Sequence, residues 1–82
     1  MIILASKYRV VADEQFLGHY HSTTPAGAIE KAVRANFVYH PTILGMPDCE
    51  FETQRGVLSK KEHFTWSDLP ELAAEFEIPV EE

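Results

Sequence analysis

The chain has a single cysteine, Cys49, so no internal disulfide can form. Small secreted domains are usually stapled by several, and this scarcity points to a reducing compartment. No apolar run approaches the ~20 residues of a membrane span. The opening run Ile2-Ile3-Leu4-Ala5 is too short for the apolar region of a signal peptide and has no basic segment before it. The expectation is a soluble, cytoplasmic protein without membrane contact. The four glycines, Gly18, Gly27, Gly45 and Gly56, lie too far apart for a phosphate-cradling loop. Basic residues are missing from the end of the chain: Asp68, Glu71, Glu75, Glu77, Glu81 and Glu82 are six acids with no base among them. Residues 1–67 carry seven charges of each sign, so this last stretch holds the whole net charge of −6.

What is present suits one small globular domain over residues 1–82, with an acidic helical segment from about Asp68. A chain of this length buries only about 60 to 65% of the surface its unfolded form exposes. The hydrophobic content of 45% and the nine aromatics are therefore needed for folding, and most of the aromatics are expected to be structural.

Lys7, Tyr8, Arg9 and Val10 alternate basic and apolar, the period of a strand with one face on a core. Ile2 to Ala5 ahead of them extend it to one long strand. Asp13 and Glu14 interrupt, and Gln15 to Ser22 resumes as a second strand. Strict alternation there puts Phe16, Gly18 and Tyr20 on one side and Leu17, His19 and His21 on the other, completing a hairpin.

Thr24-Pro25 is a helix start, with a hydroxyl to cap a free N–H and a proline that loses nothing at the first position. Ile29, Ala32, Val33 and Phe37 form its apolar stripe, Glu30 and Arg34 pair along its wet side, and Asn36 can end it in a left-handed turn.

Val38 to Pro47 mixes Pro41, Gly45 and Pro47 with Tyr39, Ile43, Leu44 and Met46, an apolar loop. Cys49, Phe51 and Thr53 alternate with Glu50, Glu52 and Gln54 in a third strand. After the Arg55-Gly56 turn, a fourth strand covers part of Val57 to Trp66, with Phe64 and Trp66 facing the same way and Lys60 and Lys61 marking a bend or an exposed edge. Asp68 with Glu71 reads as a capping box opening a second helix, whose stripe is Leu69, Leu72, Ala73 and Phe76 and whose stop is Pro79. The order is β-β-α-β-β-α: an α+β fold with a small antiparallel sheet of about four strands, one face covered by helix.

Acids at Glu75 and Glu77 fall near a helix end, where the dipole disfavours them by about 0.3 to 1 kcal/mol each. Glu71 also repels Glu75 across one turn. Local preferences are overridden together where function requires it, which makes Glu71, Glu75, Glu77 and Glu81 candidate contacts for a basic partner. The bland alternative is a charge run that keeps a small protein soluble. Tyr39, Ile43, Leu44 and Met46 either pack over an open end of the core or form an exposed apolar contact surface, with Tyr39 as anchor.

Chemistry has thinner support. His19 and His21 share a strand face and could chelate one metal ion, but His40, His63 and Cys49 would have to be gathered from scattered positions to complete the ligand set. Polar hairpin histidines are the plain alternative, and no metal or other cofactor is expected. Cys49 alternates in register with Phe51 and so points inward, away from the base and the solvent a nucleophile requires. Glu50 and Glu52 lie two apart on a strand face, without the enclosing cleft that a carboxylate pair needs for hydrolysis. No motif dictates a reaction, and no enzyme is expected. Lys60, Lys61, His63, Phe64 and Trp66 interleave bases and aromatics, a weak version of a stacking surface. Against the net charge of −6, no direct nucleic-acid contact is expected from them.

Residues Tyr8 to Ala35 form a strand pair followed by a helix opening Thr-Thr-Pro-Ala-Gly-Ala-Ile-Glu-Lys-Ala. This run, about a third of the chain, resembles small sheet-plus-helix proteins that include an archaeal ribosomal protein family and phage-encoded anti-CRISPR inhibitors. The ribosomal likeness implies a basic surface, which this composition lacks; the inhibitor likeness suits the size and acidity. The reading is a non-enzymatic acidic interaction domain that blocks a basic, nucleic-acid-binding site on a larger protein or protein–nucleic acid complex. The alternative is a metal-binding regulatory or sensor domain built on His19 and His21. An edge strand could pair two copies.

Overall fold

The computed structural model describes residues 4–80. Two strands, β1 (Ser6–Ala12) and β2 (Gln15–Ser22), form the opening hairpin. They precede helix α1 (Pro25–Asn36), a single-turn helix α2 (Pro41–Leu44), strands β3 (Glu50–Gln54) and β4 (Lys61–Thr65), a 3-10 turn (Trp66–Asp68) and helix α3 (Pro70–Glu75). The sheet is antiparallel throughout in the order β2-β1-β3-β4, and α1 packs across it. This is the α+β arrangement that the periodicities predict, with α2 added inside the apolar loop.

Alternation in β1 sends Tyr8, Val10 and Ala12 into the core and leaves Lys7 and Arg9 outside. The strand starts at Ser6, and exposed Leu4 and Ala5 precede it. Ile2 and Ile3, read as part of that strand, lie outside the described residues.

Asp13 and Glu14 make the two-residue turn into β2, both at positive φ (45° and 70°), the conformation whose twist matches a hairpin. The alternation then breaks. Val10 pairs with Gly18 but Val11 pairs with Phe16, so Leu17 is an extra, bulged residue. Leu17 turns into the core, and Phe16 joins His19 on the outer face, their rings 5.4 Å apart and edge-on. The predicted split of Phe16 from the histidines is thus reversed, because a one-residue insertion flips every side chain beyond it. Gly18 permits the bulge: its φ is 121°, and an added Cβ would sit 3.2 Å from the Tyr20 ring.

Thr24 caps α1, accepting the Gly27 N–H at 3.0 Å, and Pro25 opens it. Ala28, Ile29, Ala32 and Val33 are its buried stripe. Asn36 does not form the predicted left-handed cap, since the residue after it continues at φ −56°. Its side-chain amide instead donates to Leu17 O (3.1 Å), Tyr20 Oη (2.8 Å) and Ala32 O (2.7 Å). The Tyr20 hydroxyl donates to the same Leu17 carbonyl at 2.8 Å. The carbonyl freed by the bulge thereby becomes the point where helix and hairpin are tied together.

Trp66 closes the other end. It is fully buried, edge-on to Phe51 at 5.1 Å, and its indole N–H donates to Leu44 O at 3.2 Å. That hydrogen bond holds α2 against the core.

The capping box lies one turn earlier than Asp68 with Glu71. Thr65 caps the 3-10 turn with Asp68, whose carboxylate accepts the Thr65 N–H at 2.9 Å. The reason is Pro70: the residue before a proline is driven out of helical geometry, and Leu69 sits at φ −130°, ψ 56°. The helix restarts at Pro70 and ends at Glu75, before Pro79. Glu77 turns left-handed (φ 57°) while the Ile78 N–H returns to Ala73 O at 2.8 Å and the Glu77 N–H to Ala74 O at 3.2 Å. That pattern is a helix-ending motif normally built on glycine.

Candidate functional site

Part of the acidic and apolar sets, Tyr39, Glu75 and Glu77, flanks one contact between the C-terminal ends of α1 and α3. Phe37, just past α1, stacks on Phe76, just past α3, with ring centroids 4.6 Å apart. Their chain neighbours, Val38 and Tyr39 on one side and Glu75 and Glu77 on the other, are thereby brought to one end of the molecule. Tyr39 is 75% exposed and Val38 76%. Val38 was not among the residues picked from the sequence, and its place in an apolar run was the signal available for it.

The rest of the Tyr39 to Met46 set divides. Met46 is exposed, Ile43 is half-buried, and Leu44 lies wholly inside the core, where it has no surface to offer a partner. Glu71 and Glu77 are exposed. Glu75 is already engaged by Arg34 of α1 in a two-pronged ion pair, and the guanidinium holds its carboxyl below the ordinary glutamate range. Glu81 lies outside the described residues.

The helices cover one face of the sheet; the other is open. Cross-strand register lays out its side chains in rows. One row crosses all four strands as His19, Arg9, Gln54 and Lys61, without a carboxylate. The next holds Phe16, Val11, Glu52 and His63, and Lys7 faces His21 on a further rung. The Arg9 guanidinium sits 5.0 Å over the Phe16 ring, which is 45% exposed.

At one end of this face, Lys7, Arg9, His19, Gln54, Arg55 and Val57 line a groove of about 200 Å³. At the other, Asp13, Glu14, Glu50 and Glu52 join Arg9, Lys61 and His63 around a shallow depression of about 470 Å³. The charges are sorted, basic toward the β3–β4 loop and acidic toward the β1–β2 turn. Strand periodicity shows that each of these residues faces solvent; only the strand order shows that they share a surface.

The remaining candidates are dispersed. His19 and His21 are both exposed, but among the described residues no three His, Cys, Asp or Glu side chains group to hold a metal. Cys49 is buried, and burial, with the nearby carboxylates of Asp13, Asp48 and Glu50, pushes its thiol up to about 12. A group held that far from thiolate is a poor nucleophile. Of the interleaved run, Lys60, Lys61 and His63 are exposed, Phe64 is half-buried against the core and Trp66 is fully inside. Comparison of the chain with protein-family models, curated proteins and solved structures gives no match.

Proposed function

We propose that the protein acts by binding, as a small acidic interaction domain of the phage-inhibitor kind. Its docking end is the surface around the Phe37–Phe76 stack. The observation that carries this reading is the Phe37–Phe76 stack, which sets exposed Val38 and Tyr39 and exposed Glu77 on the flanks of one contact, with Glu71 exposed on the first turn of α3. Apolar anchors beside acids suit a partner surface that offers a pocket ringed by lysine and arginine, the chemistry of a nucleic-acid-binding site on a larger protein. Glu71 and Glu77 supply the free negative charge. Glu75 contributes less, because Arg34 neutralises it internally.

A photo-crosslinking amino acid at Tyr39 tests this in cells that express the protein. The crosslinked partner should be a nucleic-acid-binding protein whose crosslinking yield falls as salt is raised before irradiation, and Glu71→Gln with Glu77→Gln should weaken the interaction about tenfold. A partner lacking a basic site, or an affinity indifferent to salt and to both substitutions, rejects the reading.

A further inference from the structure

We infer that the open sheet face is a second, separate binding surface, one that takes a phosphodiester backbone: single-stranded nucleic acid. Its basis is the way the fold distributes cations. Among the described residues, Arg34 and Lys61 have a carboxylate within 4.0 Å, whereas none is found for Lys7, Arg9, Lys31, Arg55 or Lys60; Lys31, on α1, donates instead to the His21 carbonyl. A chain with thirteen acids and seven bases has carboxylates to spare for every base. Leaving five of them without one, with Lys7, Arg9 and Arg55 around a single groove, is charge segregation rather than scarcity.

The register sharpens the point. Lys7 faces His21 and Arg9 faces His19 on the outer side of the hairpin, so neither base has a carboxylate opposite it on β2. An anion laid along the row His19–Arg9–Gln54–Lys61 meets donors on all four strands, with Glu52 of the next row, 3.8 Å from Lys61, as the carboxylate beside it.

Two features favour a nucleic acid over other anions. Phe16 is turned outward by the Leu17 bulge and stands 45% exposed between Arg9 and His19, a ring on which a base can stack beside cations for the adjoining phosphates. The groove is open and shallow, and so suits a strand passing over it. The net charge of −6 opposes such binding only when averaged over the molecule. Glu71, Glu75 and Glu77 lie with the helices, and Asp13, Glu14 and Glu50 lie at the far end of the sheet.

Fluorescence anisotropy with a labelled eight-nucleotide oligothymidine tests the assignment on the intact protein. Binding is expected in the non-specific range of about 10⁻⁴ to 10⁻⁶ M, weakening with salt at a slope of about 0.7 per phosphate contact. Lys7→Gln with Arg9→Gln should cost about tenfold and flatten that slope by about 1.4. Phe16→Ala should weaken binding at an unchanged slope. Glu52→Gln should tighten it, since it removes an acid from the face and frees Lys61, 3.8 Å away. This last variant needs no loss of function, so unfolding cannot mimic its result.

Three outcomes overturn the inference: no binding at low salt; oligoglutamate binding as well as the oligonucleotide with Phe16→Ala without effect, which marks an acidic-polypeptide surface; or binding only to anionic phospholipid vesicles and dependent on exposed Val57 and Leu58. Each leaves the docking end around Tyr39 untouched.

Discussion

Arg34 and Glu75, 41 residues apart in the chain, meet in a paired contact, Nε to Oε2 at 3.0 Å and Nη2 to Oε1 at 2.9 Å. The contact locks α3 to α1 on the helix side and removes one charge from the acidic end. The two groups tune each other: Arg34 holds the Glu75 carboxyl down, and Glu75 raises the Arg34 guanidinium.

Stability in acid should record this pair. As pH falls, the unfolded chain protonates Glu75 before the folded protein does. The contribution is therefore complete above the ordinary glutamate range and is lost as pH drops through the lowered folded value. Glu75→Gln should flatten the fall in the urea midpoint below about pH 5. Both side chains are exposed, so in about 1 M NaCl the difference from wild type should nearly vanish. An acid limb unchanged by the substitution removes the pair as a stabilising contact.

Two glutamates occupy left-handed backbone that glycine adopts without penalty, Glu14 at φ 70° and Glu77 at φ 57°. Replacing either with glycine should raise stability by about 1 kcal/mol, and the glutamine variants, equal in charge loss but still strained, should not. Chemical denaturation of the four variants separates backbone strain from electrostatics.

Thr53 sits in the core at 1% exposure, and its hydroxyl has no hydrogen-bond partner. Valine keeps the branched shape and the strand preference while removing an orphaned polar atom. Thr53→Val should gain about 1 to 2 kcal/mol, read as a higher urea midpoint at constant slope. A loss of stability would mean that the hydroxyl is satisfied in solution.

Cys49 should be silent toward thiol reagents in the folded protein. Burial removes access and its raised pKa of about 12 removes the thiolate, so modification has to wait for opening of the structure. Reaction with a disulfide reagent near pH 8 should be slower than in denaturant by more than about 100-fold. A fast native reaction would place Cys49 at the surface.

Local periodicity and capping chemistry determined most of the secondary structure. The Lys7 to Val10 alternation, the Thr24-Pro25 start and the Ile29, Ala32, Val33 stripe each depend on neighbours within one or two turns, and such signals are written in the sequence itself. They led directly to an α+β fold in the order found. The errors came where a local signal met a competing one: Gly18 allowed a bulge that moved Leu17 inward and Phe16 outward, and Pro70 displaced the cap of the last helix from Asp68 to Thr65. Tertiary structure alone decided which charges are neighbours. That Arg34 engages Glu75, that Phe37 stacks on Phe76, and that Arg9, Gln54 and Lys61 fall in one row follow from strand order and helix docking. These are set by the joint burial of Val10, Ile29, Phe51 and Trp66, distant in the chain and sharing one core, so no short window of residues contains them.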